Sequence, residues 1–184
     1  MSSNRSLYMD RGVLLNLGAT GHIIEILKIL PYQCIVLDDE CKLPISLWTH
    51  SQEDEEPSRR EEISITSLMS AGVLEVEHFE RERYEQAFVA FAFHVRDEQA
   101  RLLTLVEQPG ATLATDDKRL RKVLCCLAPH VPVMSTLACL YAWQTNLQLP
   151  DADLRAIVRN VAHKAQFTPS EDDPLVAWWQ QLIR

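Results

Sequence analysis

No stretch of this chain stays apolar for the roughly 20 residues that a membrane-spanning helix needs, so a helical membrane protein is not expected. The opening MSSNRSLYMD holds no apolar segment of the roughly 7–15 residues that a secretory leader carries. The spacing C-x-x-C is missing, and the five cysteines (Cys34, Cys41, Cys125, Cys126 and Cys139) are odd in number. A zinc ribbon or a disulfide framework is therefore not expected. Buried free thiols in a reducing cytoplasm are the simpler reading. No two of the six histidines form H-x-x-x-H, which removes the zinc-protease helix. G-x-S-x-G and G-x-x-x-x-G-K-[ST] are also absent, which argues against α/β-hydrolase and P-loop chemistry. Positive charge is scarce: 18 Lys and Arg stand against 26 Asp and Glu, a net charge of −8. That balance disfavours broad, nonspecific adhesion to nucleic acid or to an acidic membrane. It leaves room for a local basic patch or for an acid-lined metal site.

What is present is a chain of 184 residues, 47% hydrophobic, long enough for one domain with its own core. SLYMD reads as a strand ending at Asp10. In VLLNLGATGHIIEILKIL, Val13, Leu14, Leu17, Ile23, Ile24, Leu27 and Leu30 recur at mostly helical spacing. Gly18 and Gly21 predict a break, with a second helix starting near Thr20. QCIVL reads as a buried strand, and DDECKLPISLWTH as the start of a helix with acids in its first turn. SQEDEEPSRREE, residues 51–62, has no apolar anchor and reads as a solvated loop. ITSLMSAG predicts one or two helical turns closed by Gly72, and VLEVEHF a half-exposed strand. Two helices follow, ERERYEQAFVAFAFHV and RDEQARLLTLVEQPG, then the strand ATLAT and the helix DDKRLRKVLCCLAP. VPVM predicts a strand, STLACLYAWQTN a helix capped by Ser135 or Thr136, and two further helices complete the chain. Trp178 and Trp179 in the last of these either pack the tail onto the domain or present a partner surface; packing is the expectation.

Short apolar strands separated by helices imply a mostly parallel sheet covered on both faces. In such sheets the functional crevice lies at the carboxyl ends of the strands. Asp10 ends the first strand, Asp38, Asp39 and Glu40 follow the second, and Asp116 and Asp117 end ATLAT. Carboxylates gathered at one edge repel each other unless protonated or compensated. A hard divalent cation compensates them, and Mg²⁺ needs only one or two carboxylates beside water and phosphate oxygens. Each of these acids equally suits a helix N-terminus facing solvent. Lys118, Arg119, Arg121 and Lys122 follow Asp117 at once and are candidates for phosphate contacts, although helical geometry does not aim all four the same way.

Two blocks of sequence add a family resemblance. LYMDRGVLLNLGATG resembles the opening of PIN-domain proteins, in which a strand-terminal aspartate precedes an apolar helix with an embedded asparagine; here these are Asp10 and Asn16. DEQARLLTLVEQPGATLATDDKRLRKVL resembles the family's later block, an acid opening a helix and then a strand ending in Thr-acid-acid. Here these are Glu98, with Asp97 beside it, then Thr115, Asp116 and Asp117. The likeness spans roughly residues 6–140. It implies a three-layer α/β/α sandwich over residues 1–146, with residues 147–184 as a C-terminal helical extension packed on the same domain, as in longer bacterial members.

The resemblance also implies a function: a Mg²⁺- or Mn²⁺-dependent ribonuclease, a hydrolase of phosphodiesters. Many bacterial members are toxins of toxin–antitoxin pairs, so the implied partners are RNA, a small antitoxin protein and a second copy of the chain, in the cytoplasm and away from any membrane. Carried over, Asp10, Glu98, Asp116 and Asp117 are the catalytic acids. Asp10, Glu98 and Asp116 are the metal ligands, with Glu40 and Asp97 as further candidates, and Asn16 and Thr115 position the acids. Two places depart from the family pattern. Gly12 stands where a small polar side chain is usual, and Leu43 aligns with the second acid of the family, Glu40 lying three residues earlier. The rival reading is a catalytically degenerate PIN-like module that acts by binding a partner protein or RNA.

Overall fold

Strands of four or five apolar residues with no polar face cannot lie on a surface, so each must be covered on both sides. In the computed structural model, which describes residues 5–41, 44–49 and 59–184, this is how the sheet is built. Strands β1 (Ser6–Met9), β2 (Gln33–Leu37), β5 (Glu75–Glu77), β6 (Ala111–Ala114) and β7 (Val133–Met134) form one sheet in the order β5-β2-β1-β6-β7. Every pairing in it is parallel. Alternate side chains feed two separate cores. Leu7, Met9, Cys34, Val36 and Ala114 face one side, and Tyr8, Ile35, Leu37, Ala111 and Leu113 the other.

The first side is closed by α1 (Arg11–Gly18), α2 (Ile23–Ile29), α7 (Thr136–Leu147), α8 (Asp151–Lys164) and α9 (Val176–Ile183). The other is closed by α4 (Arg81–Ala92), α5 (Asp97–Val106) and α6 (Lys118–Leu127). The result is the expected three-layer α/β/α sandwich with C-terminal helices. Leu14, Leu17, Leu103 and Leu105 are fully buried. Each such side chain contributes about 1.5–3 kcal/mol relative to exposure. No single helix among the described residues is long and apolar enough to cross a membrane; α1 and α2 meet at a 117° bend. Gly21, at φ +76°, supplies the left-handed residue that the turn between them needs.

The structure differs from the sequence reading between residues 38 and 63. Asp38–Cys41 form one 3₁₀ turn, not the start of a helix. Beyond it, β3 (Ile45–Thr49) pairs antiparallel with β4 (Arg59–Ile63) in a separate two-stranded sheet, so residues 59–62 are strand and not loop. Pro44 precludes a helix continuing there. Ile45 and Leu47 alternate inward onto the first core while Glu61 and Glu62 stay exposed. An edge strand carrying charge is a common way to block pairing with other chains. Residues 51–58 of the expected loop, and Leu43, lie outside the described residues.

A short helix α3 (Ile65–Ser70), capped by the Ser64 hydroxyl and closed near Gly72, connects this pair to β5. Only two of the five free cysteines are buried, Cys34 and Cys139; the other three are exposed. Burial pushes the Cys34 thiol up to about 12 and raises that of Cys139 as well, so both are unreactive hydrophobes at neutral pH. The tail packs as expected: Trp179 is buried edge-on against Phe167, and Trp178 donates its indole N–H to Gln144 Oε1 at 3.1 Å.

Candidate functional site

The register of the two central strands sets the site. Met9 of β1 lies opposite Ala114 of β6, so the next residues out, Asp10 and Thr115, meet where the strands end. The Asp10 backbone N–H donates to the Ala114 carbonyl at 3.0 Å. Its carboxylate then does two jobs. Oδ1 accepts the Val13 N–H at 2.9 Å and caps α1, while Oδ2 accepts the Thr115 hydroxyl. Thr115 is fully buried, and its hydroxyl oxygen also accepts the Asp117 N–H at 3.1 Å. One threonine thus links the end of β1 to the turn after β6.

Asp116 is held from the opposite side. Its Oδ1 accepts the Thr136 N–H at 3.0 Å, at the first turn of α7. Its Oδ2 accepts both the Thr136 hydroxyl and the Asn16 amide, the latter at 3.1 Å. Asn16 is buried on α1 and donates to Thr136 Oγ1 as well, at 3.0 Å. Asp117 caps α6 through Oδ1 to the N–H groups of Arg119 and Leu120, and accepts Gln99 Nε2 on Oδ2 at 3.2 Å. Every carboxylate of the Thr-Asp-Asp step is therefore fixed by side chains or backbone from other elements.

Above these residues lies a cleft of about 730 Å³. Asp10, Asp39, Glu40, Glu98, Asp116 and Asp117 all line it, beside Arg11, Arg96 and Arg101. Of the acids singled out from sequence, Asp97 does not line it, nor does Asp38, whose carboxylate lies 3.0 Å from the His78 ring. Glu98 is exposed on the first turn of α5 and makes no hydrogen bond or ion pair among the described residues. Glu40 reaches the cleft from the 3₁₀ turn, 3.7 Å from Arg11; burial raises its carboxyl above the usual range, against the pull of that guanidinium. Asp39 pairs with Arg101. Gly12 sits directly beside Asp10: a Cβ there would stand 3.2 Å from Asp10 Oδ1, so the glycine leaves that oxygen uncrowded.

Asp10 is strongly perturbed. Burial pushes its carboxyl up to about 6, overcoming the hydrogen bonds from Thr115 and Val13, and the charge of Asp116 adds to the rise. Asp116 itself has Arg121 at 4.0 Å, so the rise at Asp10 reflects burial more than the pairing of two carboxylates. The oxygen donors here, carboxylates with hydroxyl and amide support, belong to the class that hard divalent ions take. Among the described residues, however, no group of three or more His, Cys, Asp or Glu side chains stands in ligating positions. A divalent ion here would have only one or two carboxylates with water completing its shell, and would not be enclosed by protein ligands.

The four cations after Asp117 separate. Arg119 spends its guanidinium on the His94 carbonyl, and Arg121 on the Thr115 carbonyl at 3.0 and 2.9 Å. Lys118 and Lys122 are exposed and lie four residues apart on one helical face. Sequence reasoning missed Thr136, whose signal was the Ser-Thr pair directly after VPVM, there read only as a cap. It also missed Gln99 and Arg101, one and three residues past Glu98. No family model, no curated protein and no solved structure matches the chain.

Proposed function

We propose that this protein is a Mg²⁺- or Mn²⁺-dependent ribonuclease of the PIN-like type, with its site in the cleft over Asp10 and Asp116. The observation that carries the reading is the Asp10 carboxyl, buried next to Asp116 and raised to about 6. A carboxyl raised by burial beside a second carboxylate, whose own cation Arg121 stands off at 4.0 Å, is a place where a divalent ion would relieve the charge. Asp10 and Asp116 would hold the ion. Bound there, it supplies the Lewis-acid charge that phosphodiester hydrolysis needs.

The chain's own residues do the rest. Thr115 and Val13 fix the Asp10 carboxylate, and Asn16 with Thr136 fixes that of Asp116. Glu98, unpaired at the cleft wall, is placed to take the proton of the attacking water. Of the four cations after Asp117, Lys118 and Lys122 are the two left to meet backbone phosphates, beside the cleft that Arg96 lines. A small inhibitory protein and a second copy of the chain are partners that the resemblance alone suggests.

One observation favours a second reading, a PIN-like module that binds a partner without catalysis: among the described residues no three acids stand in metal-ligating positions. The two separate in a cleavage assay on single-stranded RNA with Mn²⁺. Wild type is expected to cut, and Asp10→Asn and Asp116→Asn to lose at least about 100-fold. Equal background rates in all three proteins would refute the enzyme and leave the binding module.

A further inference from the structure

The C-terminal extension sends one buried acid toward the site. Asp173, in the turn before α9, is 5% exposed. Its Oδ1 accepts the Leu175 N–H at 2.9 Å, and its Oδ2 faces Arg121 at 4.0 Å. The same Arg121 nitrogen is 4.0 Å from Asp116 Oδ1. Meanwhile Arg121 donates twice to the Thr115 carbonyl, at 3.0 and 2.9 Å. The guanidinium thus stands midway between two carboxylates, anchored on the backbone of the turn that carries one of them. A buried carboxylate requires a partner, and the cation facing Asp173 is this arginine.

We propose that Asp173 is a positioning residue for the site: it holds Arg121 on the Thr115 carbonyl and away from a full ion pair with Asp116. Without the pull of Asp173, Arg121 is attracted toward Asp116 alone. It then neutralises the carboxylate that a cation would use, and it loosens its hold on the turn. The extension so becomes part of the site's electrostatics, acting through one side chain. The consequence for metal rests on the function proposed above; the clamp itself does not.

The test uses the full chain, with Asp173→Asn, Arg121→Gln and the double variant. Asparagine keeps the oxygen that accepts the Leu175 N–H, so the turn retains its local bond. The first readout needs no metal: hydrogen exchange of the Arg121 side-chain Nε–H, followed by ¹⁵N NMR. Asp173→Asn is expected to speed it by about fivefold or more, and unchanged protection overturns the clamp.

The second readout is Mn²⁺ binding by electron paramagnetic resonance. Asp173→Asn is expected to weaken Mn²⁺ binding about fivefold, and to change nothing in the Arg121→Gln background. Unchanged affinity in the single variant, or the same loss in both backgrounds, overturns the positioning role. If wild type binds no Mn²⁺, the ribonuclease reading fails while the exchange measurement still decides the clamp.

Discussion

The buried carboxyl of Asp10 should make the protein less stable as pH rises, and its removal should reverse the loss. Burial raises this group from an ordinary 3.8 to about 6 in the folded state. The folded chain therefore binds the proton more tightly than the unfolded chain. Stability from this group is full below about pH 4, falls as pH climbs toward 6, and stays low above that. A difference of about 2 units corresponds to roughly 3 kcal/mol. Asp10→Asn abolishes that dependence. Asparagine still caps α1 as well as aspartate does, but with its oxygen on the Val13 N–H, an NH2 group replaces the oxygen that accepts the Thr115 hydroxyl. Losing one of these bonds costs about 1 kcal/mol at every pH.

The variant should then be slightly less stable than wild type at pH 4 and about 2 kcal/mol more stable at pH 7.5. In a chain of this size that is about 4–8 °C in melting temperature at the higher pH. The assay is urea denaturation of both proteins across pH 4–7.5 in buffer with chelator. The pH-dependent part is the informative one, because the constant cost of the lost bond cancels from it. A gap between the two proteins that does not widen with pH would refute the argument that Asp10 is an uncompensated buried charge. Excess Mn²⁺ at pH 7.5 should narrow the gap by stabilising wild type through mass action.

Two further substitutions probe the supports of the site. Thr136→Val removes the hydroxyl that joins Asn16 to Asp116 and should cost about 1–2 kcal/mol in urea denaturation; an unperturbed midpoint would mean the network does not hold Asp116. Gly18→Ala would set a Cβ 2.0 Å from the Ile63 side chain, where α1 meets β4, and should cost about 1–3 kcal/mol of stability. Ile63→Ala in that background should recover part of the loss, whereas simple additivity would show that the crowding is relieved elsewhere.

The sandwich was legible because each strand of its main sheet carries its signal locally. QCIVL and ATLAT are apolar on both faces, and the helices between them are long enough to show a 3.6-residue period. The strand pair β3–β4 was not legible. Ile45 and Leu47 do alternate, but β4 presents Arg-Arg-Glu-Glu before its single apolar residue, Ile63. Nothing local to that run marks a strand; its pairing with β3 and the gap left by Gly18 on α1 decide it. Asp10 and Asp116 could be read as neighbours because they lie one and two residues past strand ends, a place fixed by topology. Their partners were harder to find, since Thr136 meets Asp116 across 20 residues and Asp173 meets Arg121 only through tertiary packing.

The register of β1 and β6 leaves the carboxylates at the strand ends little room to shift. With Met9 opposite Ala114, Asp10 faces a hydroxyl, and the two aspartates after it point to other partners. Sliding β6 by one residue against β1 would set Asp10 opposite Asp116, two carboxylates directly across a parallel pair and costly to ionise together. It would also turn every side chain of β6 to the opposite core. Burial of Leu113 and charge separation at the strand end therefore demand the same register. The hydrophobic pattern that builds the sheet is thus also what brings Asp10 close enough to Asp116 for the charge of one to raise the carboxyl of the other.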